Sequence, residues 1–179
     1  ESEAALAHRA FLREVEATSM TKSFKMVLLE ALQELDGWQH PLTLAELAER
    51  SWRVMQRRRP LLADLPDDIR RLADGSSAAW QSYWRGNPVA AWIGSNRTPS
   101  VSAYFAVADQ RFSATFRVAV QQLEAFTALI QELVDYRLAA YEVPRAPEER
   151  KDNVIPFRRS ATATASTRSE LPYFPNLKI

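Results

Sequence analysis

The 179-residue chain contains no cysteine, only two histidines and four glycines, each standing alone. Without cysteine it forms neither a disulfide framework nor a thiolate metal site, and that absence fits a reducing cytoplasm. Four single glycines exclude a glycine-rich phosphate loop. His8 and His40 have no His, Asp or Glu neighbours at metal-ligand spacing, so neither a metal nor an imidazole-based catalytic set is expected. No apolar run approaches the ~18–20 residues of a membrane span. The opening Glu1-Ser2-Glu3 lacks the basic-then-apolar order of a secretion signal, and no initiator methionine precedes it. The expectation is a piece of a larger protein. Excess charge is also missing, because 23 Lys+Arg against 22 Asp+Glu leave +1. A role on nucleic acid must therefore rest on local clustering of cations.

Apolar residues are plentiful at 46%, enough for a core, and their spacing is mainly helical. Residues 2–15 carry a weak stripe of Leu6, Ala10 and Phe11. Residues 21–35 carry a clear one, of Phe24, Val27, Leu28, Ala31, Leu32 and Leu35, stopped by Asp36-Gly37 with glycine suited to the left-handed C-terminal position. Thr43 and Glu46 make a capping box for the next helix, whose face Leu44, Leu47, Ala48, Trp52 and Met55 runs to Arg57-Arg58-Arg59 before Pro60 closes it. Short helices are expected at 67–73 and 77–85. Asn87-Pro88 reads as an N-cap and first position for another, ending at Gly94.

Beyond Pro99 the period changes. Residues 104–107 and 112–118 read as two strands, with Asp109-Gln110 between them, so a β-hairpin is predicted. A long helix over 120–141 follows, with Leu123, Phe126, Ile130, Leu133, Val134 and Leu138 on one side. Residues 142–170, rich in Pro, Ala, Thr, Ser and charge, read as a linker, and 171–179 as the start of a following domain. Residues 1–19 belong either to a preceding domain or to the module at 20–141. The fold class is mainly α with a hairpin: a winged-helix-like helical domain, a long C-terminal helix and an extended linker. The material between Arg50 and Asn87 is larger than a winged helix usually carries there.

Chemistry is scarce. Asp67-Asp68 is a carboxylate pair, and at a helix start the macrodipole accounts for it. No enzyme activity and no cofactor are expected of this chain. Arg53, Arg57, Arg58 and Arg59 form the strongest positive cluster, although basic residues in a last helical turn also serve the macrodipole. Arg85, Arg97 and Arg111 lie on or beside the short helix and hairpin. These seven arginines are the candidate nucleic-acid contacts. Trp80, Trp84 and Trp92 read first as core or interdomain packing, with an interaction surface for a partner protein or stacked bases as the alternative.

Two stretches carry a resemblance. Met20-Thr21-Lys22-Ser23-Phe24-Lys25-Met26-Val27-Leu28-Leu29 resembles a segment that follows the motor domains of bacterial DEAD/DEAH-type superfamily 2 helicases, proteins associated with restriction or phage defence. Leu171-Pro172-Tyr173-Phe174-Pro175-Asn176-Leu177-Lys178-Ile179 resembles the lead-in to a LexA-like self-cleaving peptidase domain. The resemblance implies a helicase motor domain upstream in the same parent chain and a peptidase domain downstream. Helicase phosphate loops and the peptidase's Ser/Lys dyad are absent from the chain itself. Two roles compete: a cytoplasmic accessory module that assists DNA binding, and a protein–protein scaffold without DNA contact. They divide on whether the arginines share an exposed face or are paired with carboxylates such as Asp64, Asp67 and Asp68.

Overall fold

Apolar side chains surround most of α3 (Phe24–Glu34) in the computed structural model, which describes residues 2–72, 74–94 and 103–143. A helix apolar nearly all round must be covered on several sides. α4 (Leu44–Arg57) and the 23-residue α8 (Val120–Glu142) both pack on it. The described residues belong to one compact, mainly helical unit with a small antiparallel sheet. Among them no helix is long and apolar enough to cross a membrane.

α3 stops where the sequence says, by a different residue. Asp36, not Gly37, takes the left-handed conformation, at φ 53°. Gly37 N–H donates to Leu32 O at 2.8 Å and Asp36 N–H to Gln33 O at 3.1 Å, the bond pattern of a Schellman cap. Glycine is needed at 37 for space: a Cβ there would collide with Leu32 and lie 2.7 Å from Leu42 Cδ1.

The chain then forms β1 (Leu42–Thr43), a strand too short to show any period in sequence. Thr43 also begins α4, accepting from Glu46 N–H at 3.2 Å while Glu46 Oε2 accepts from Thr43 N–H at 3.0 Å, the predicted capping box. A 3-10 turn at Arg59–Asp64 and α5 (Asp67–Arg70) lead to α6 (Ala78–Trp84), capped by Ser77.

Asn87-Pro88 does not start a new helix as expected. A wide π turn at Arg85–Val89 carries the rod on into α7 (Ala90–Ile93). Proline lacks the N–H that the regular pattern would use, and its ring crowds the preceding turn, so the backbone widens there. Asn87 Nδ2 donates back to Tyr83 O at 2.9 Å. Gly94 ends the rod at φ 90°.

β2 (Phe105–Ala108) and β3 (Arg111–Ala114) form the predicted hairpin. Asp109 and Gln110 both have positive φ, 48° and 60°, as a type I′ turn requires. The second strand ends at Ala114 rather than 118. β1 adds to β3, with Leu42 opposite Phe112 and Thr43 opposite Arg111, giving a sheet ordered β1-β3-β2.

α1 (Glu3–Ala7) and α2 (Arg9–Ala17) meet at His8 and lie against α8. Phe11 is buried among Trp38, Tyr104, Phe105 and Phe116, with ring centres 5.0–5.7 Å away. The first helices therefore share their core with the rest of this unit. His8 packs on Phe126 at 4.8 Å and Phe116 at 5.4 Å, and burial lowers its pKa.

Two predictions follow from this packing. At Gly75 a Cβ would lie 2.6 Å from Trp52 Cβ and 3.2 Å from the Glu49 backbone, whereas at Gly86 it would meet nothing within 4 Å. Gly75→Ala should cost about 1–3 kcal/mol in urea unfolding, while Gly86→Ala should be neutral or stabilise by up to about 1 kcal/mol. A histidine with a depressed folded pKa contributes stability that is complete above its unfolded value and lost as pH falls. Wild type should therefore lose stability relative to His8→Gln on acidification below about pH 6.5. A constant difference between pH 7.5 and 5.5 would refute the assignment.

Candidate nucleic-acid interface

The arginines at the end of α4 do not form a free patch. Arg57 Nη2 lies 3.1 Å from Glu30 Oε1 and also pairs with Glu34. Arg58 reaches Glu30 Oε2 at 3.3 Å, Asp135 at 2.6 Å and Glu142 at 3.4 Å. Arg53 pairs with Glu49 one turn earlier, and Arg50 with Glu34 at 3.2 Å. The partners are not the carboxylates that the sequence suggested. Asp67 takes an arginine, Arg70 at 3.0 Å. Asp64 instead accepts from Ser23 N–H and from the Tyr141 hydroxyl, each at 2.7 Å, joining the 3-10 turn to α3 and α8.

Glu30 is the reason for this arrangement. Its side chain is 8% exposed on the central helix, and burial raises its pKa against the pull of Arg58 and Arg57. Burial acts in the opposite direction on Arg58, but Glu30, Glu142 and Asp135 outweigh it and raise the pKa. Both guanidinium groups lie within ion-pair distance of Glu30, so the ionised cluster is the state this geometry holds. Its net effect is to fasten α4 to α3 and α8.

Arg59, Arg85 and Arg111 are placed differently. Arg59 is exposed and pairs with no carboxylate. Arg85 donates to Gln110 Oε1 at the hairpin tip at 3.0 Å, and Arg111 to Pro41 O at 3.3 Å. These bonds leave both charges uncompensated at contact distance. Arg97 lies outside the described residues, as do residues 144–179 with the linker and the terminal apolar segment.

Trp80, Trp84 and Trp92 are core residues, 0%, 1% and 6% exposed, which corrects the alternative of an interaction surface. Trp80 stacks edge-on to Trp52 at 4.8 Å and donates to Ala48 O at 2.7 Å. Trp92 donates to Lys25 O at 3.1 Å. The same spacing that places aromatics on one helix face serves burial here.

Sequence reasoning passed over Lys22 and Lys25 because they read as the polar side of an amphipathic helix. Neither pairs with a carboxylate. Lys22 Nζ donates to Asp64 O at 2.9 Å over the Phe24 ring, and Lys25 Nζ donates to Thr18 Oγ1 over the Trp92 ring. Both line a cavity of about 360 Å³ whose far wall is Gly86, Asn87, Ala90 and Ala91. From there the neighbouring Arg85 reaches Gln110, next to Arg111. Arg111 itself lies within electrostatic reach of Glu46, whose pKa it helps the Thr43 hydrogen bonds to lower.

A larger cavity, about 600 Å³, lies between residues 37–41 and 113–120, with His40 and Arg117 in its wall. Among the described residues no hydrogen bond joins His40 to Ser113 and no Asp or Glu lines the cavity. No cluster of three or more metal-ligating side chains occurs among the described residues. Comparisons with protein families, with curated proteins and with solved structures return no match.

The two neighbouring arginines should behave oppositely. Arg58→Ala leaves buried Glu30 with Arg57 alone and removes the links to Asp135 and Glu142, and should cost roughly 3 kcal/mol in urea unfolding. Arg59→Ala should stay within about 0.5 kcal/mol of wild type. Equal losses would show that Arg58 is not the fastener.

Proposed function

We propose that this chain is a non-catalytic, winged-helix-like module that helps hold DNA for a helicase-type parent protein. One observation carries the reading: β1, arising between α3 and α4, pairs with β3, and β3 pairs with β2, in the order β1-β3-β2. A winged helix sets its first strand between its first two helices and closes the sheet with a hairpin. By that analogy α6–α7 occupies the place of the helix that enters a groove, and Asp109-Gln110 is the tip of the wing. Arg59–Asp64 and α5 are extra material between the second and third helices.

The cations that support this role are Arg85 and Arg111, with Lys22 and Lys25, rather than the Arg53–Arg57–Arg58 cluster. The motor domain of the same parent chain and a LexA-like peptidase domain downstream enter this proposal only through the resemblance. Phage defence has the same status. No cofactor is proposed.

A second reading, a protein–protein scaffold, has its own support. Arg57 and Arg58 are occupied by carboxylates, and Leu6 and Tyr136 are 54% and 68% exposed. Tyr136 borders a groove of about 480 Å³ between the first two helices and α8.

Fluorescence anisotropy with labelled duplex and single-stranded DNA separates the two. The DNA reading predicts a plot of log K against log salt with a slope of about −2 to −4, and a roughly tenfold loss on replacing Arg85 and Arg111 with Gln. Arg57→Gln should leave affinity unchanged. No binding at low salt would favour the scaffold.

A further inference from the structure

The cavity between the start of α3 and the α6–α7 rod has the composition of an anion site. Lys22, Lys25, Ser19 and Thr21 line one side of it, and no Asp or Glu lines it among the described residues. Each ammonium makes one hydrogen bond within the protein and keeps two donors. Those bonds, with the Phe24 and Trp92 rings 5.1 Å from the nitrogens, restrain side chains that are otherwise among the most mobile on a protein surface. The Asp64 carboxylate is directed to Ser23 N–H and Tyr141 instead. Asp64 accepts from the N–H of Ser23, the residue before α3, and the site is built from the two lysine side chains. Its opposite wall is the π turn, where Gly86 presents no side chain and a Cβ would have open space.

We infer that this pocket binds a phosphate monoester, specifically the terminal phosphate of a nucleic-acid strand. The inference rests on the nucleic-acid reading above and gives it a specific subsite. Charge selects the monoester: two uncompensated cations match a group carrying about −1.5 to −2 near pH 7, whereas an internal diester carries −1. The volume, about 360 Å³, admits a phosphate with its sugar and excludes a duplex. Position favours nucleic acid: Arg85, next to Gly86 of the pocket wall, reaches Gln110 at the hairpin tip, a cation placed for the diester behind the terminal group.

The test uses the full chain and a single-stranded oligonucleotide labelled at its 3′ end, bearing a 5′-phosphate or a 5′-hydroxyl, with a 3′-phosphate version labelled at the other end. At least one phosphorylated end should bind about tenfold more tightly than its hydroxyl counterpart. Lys22→Gln/Lys25→Gln should erase that preference, and Lys22→Gln alone should reduce it if the double variant misfolds. Inorganic phosphate should compete with the phosphorylated strand and not with the hydroxyl strand. Equal affinity for every end overturns the pocket assignment and leaves the nucleic-acid reading intact. If no strand binds, phosphorus NMR with inorganic phosphate decides: line broadening lost in the double variant keeps an anion pocket and refutes nucleic acid as its source, and no broadening refutes both.

Discussion

Glu30 places a carboxylate inside the helix on which the rest of the unit packs. An isolated buried charge of this kind would cost several kcal/mol, and Arg57 and Arg58 provide its counter-charge. Arg58 does more than neutralise it. Its three carboxylate partners sit on α3 and at two positions of α8, so one side chain at the end of α4 sets the positions of both neighbours. Asp64 makes a parallel connection a few residues on, from the 3-10 turn to the Ser23 amide just before α3 and to Tyr141 of α8. The polar groups of this core act as fasteners between helices that apolar packing alone would leave free to slide.

Those fasteners change the electrostatic reading of the surface. A run of three arginines in sequence suggests a phosphate-binding patch, yet two of the three are consumed by the fold. Cations with spare charge are found instead beside the α6–α7 rod and the hairpin. There Lys22, Lys25, Arg85 and Arg111 bond to carbonyl, hydroxyl or amide oxygens and to no carboxylate. Such bonds restrain a cation without neutralising it, which is what contact with a phosphate needs.

Local signals were legible in the sequence wherever one residue type answers one backbone need. The Thr43–Glu46 capping box, the Asp109-Gln110 turn and the apolar face of the long helix are of that kind. β1 was hidden because a two-residue strand has no period and doubles as a helix lead-in. The π turn was hidden because Asn-Pro is a good helix start, and only the surroundings make the rod continue. Arginine pairing was hidden for another reason. Glu30 and Asp135 lie far from Arg58 in the chain, and their meeting depends on how three helices pack. The tryptophans at 80, 84 and 92 show the limit of composition: an aromatic-rich stretch can serve recognition or burial, and only exposure separates the two.

If the arginines ending α4 hold the fold while the proposed DNA face lies beside the rod and hairpin, hydrogen–deuterium exchange with a DNA oligonucleotide should add protection at residues 19–25, 85–91 and 108–111 and leave residues 50–59 unchanged. Protection concentrated at 50–59 would contradict it.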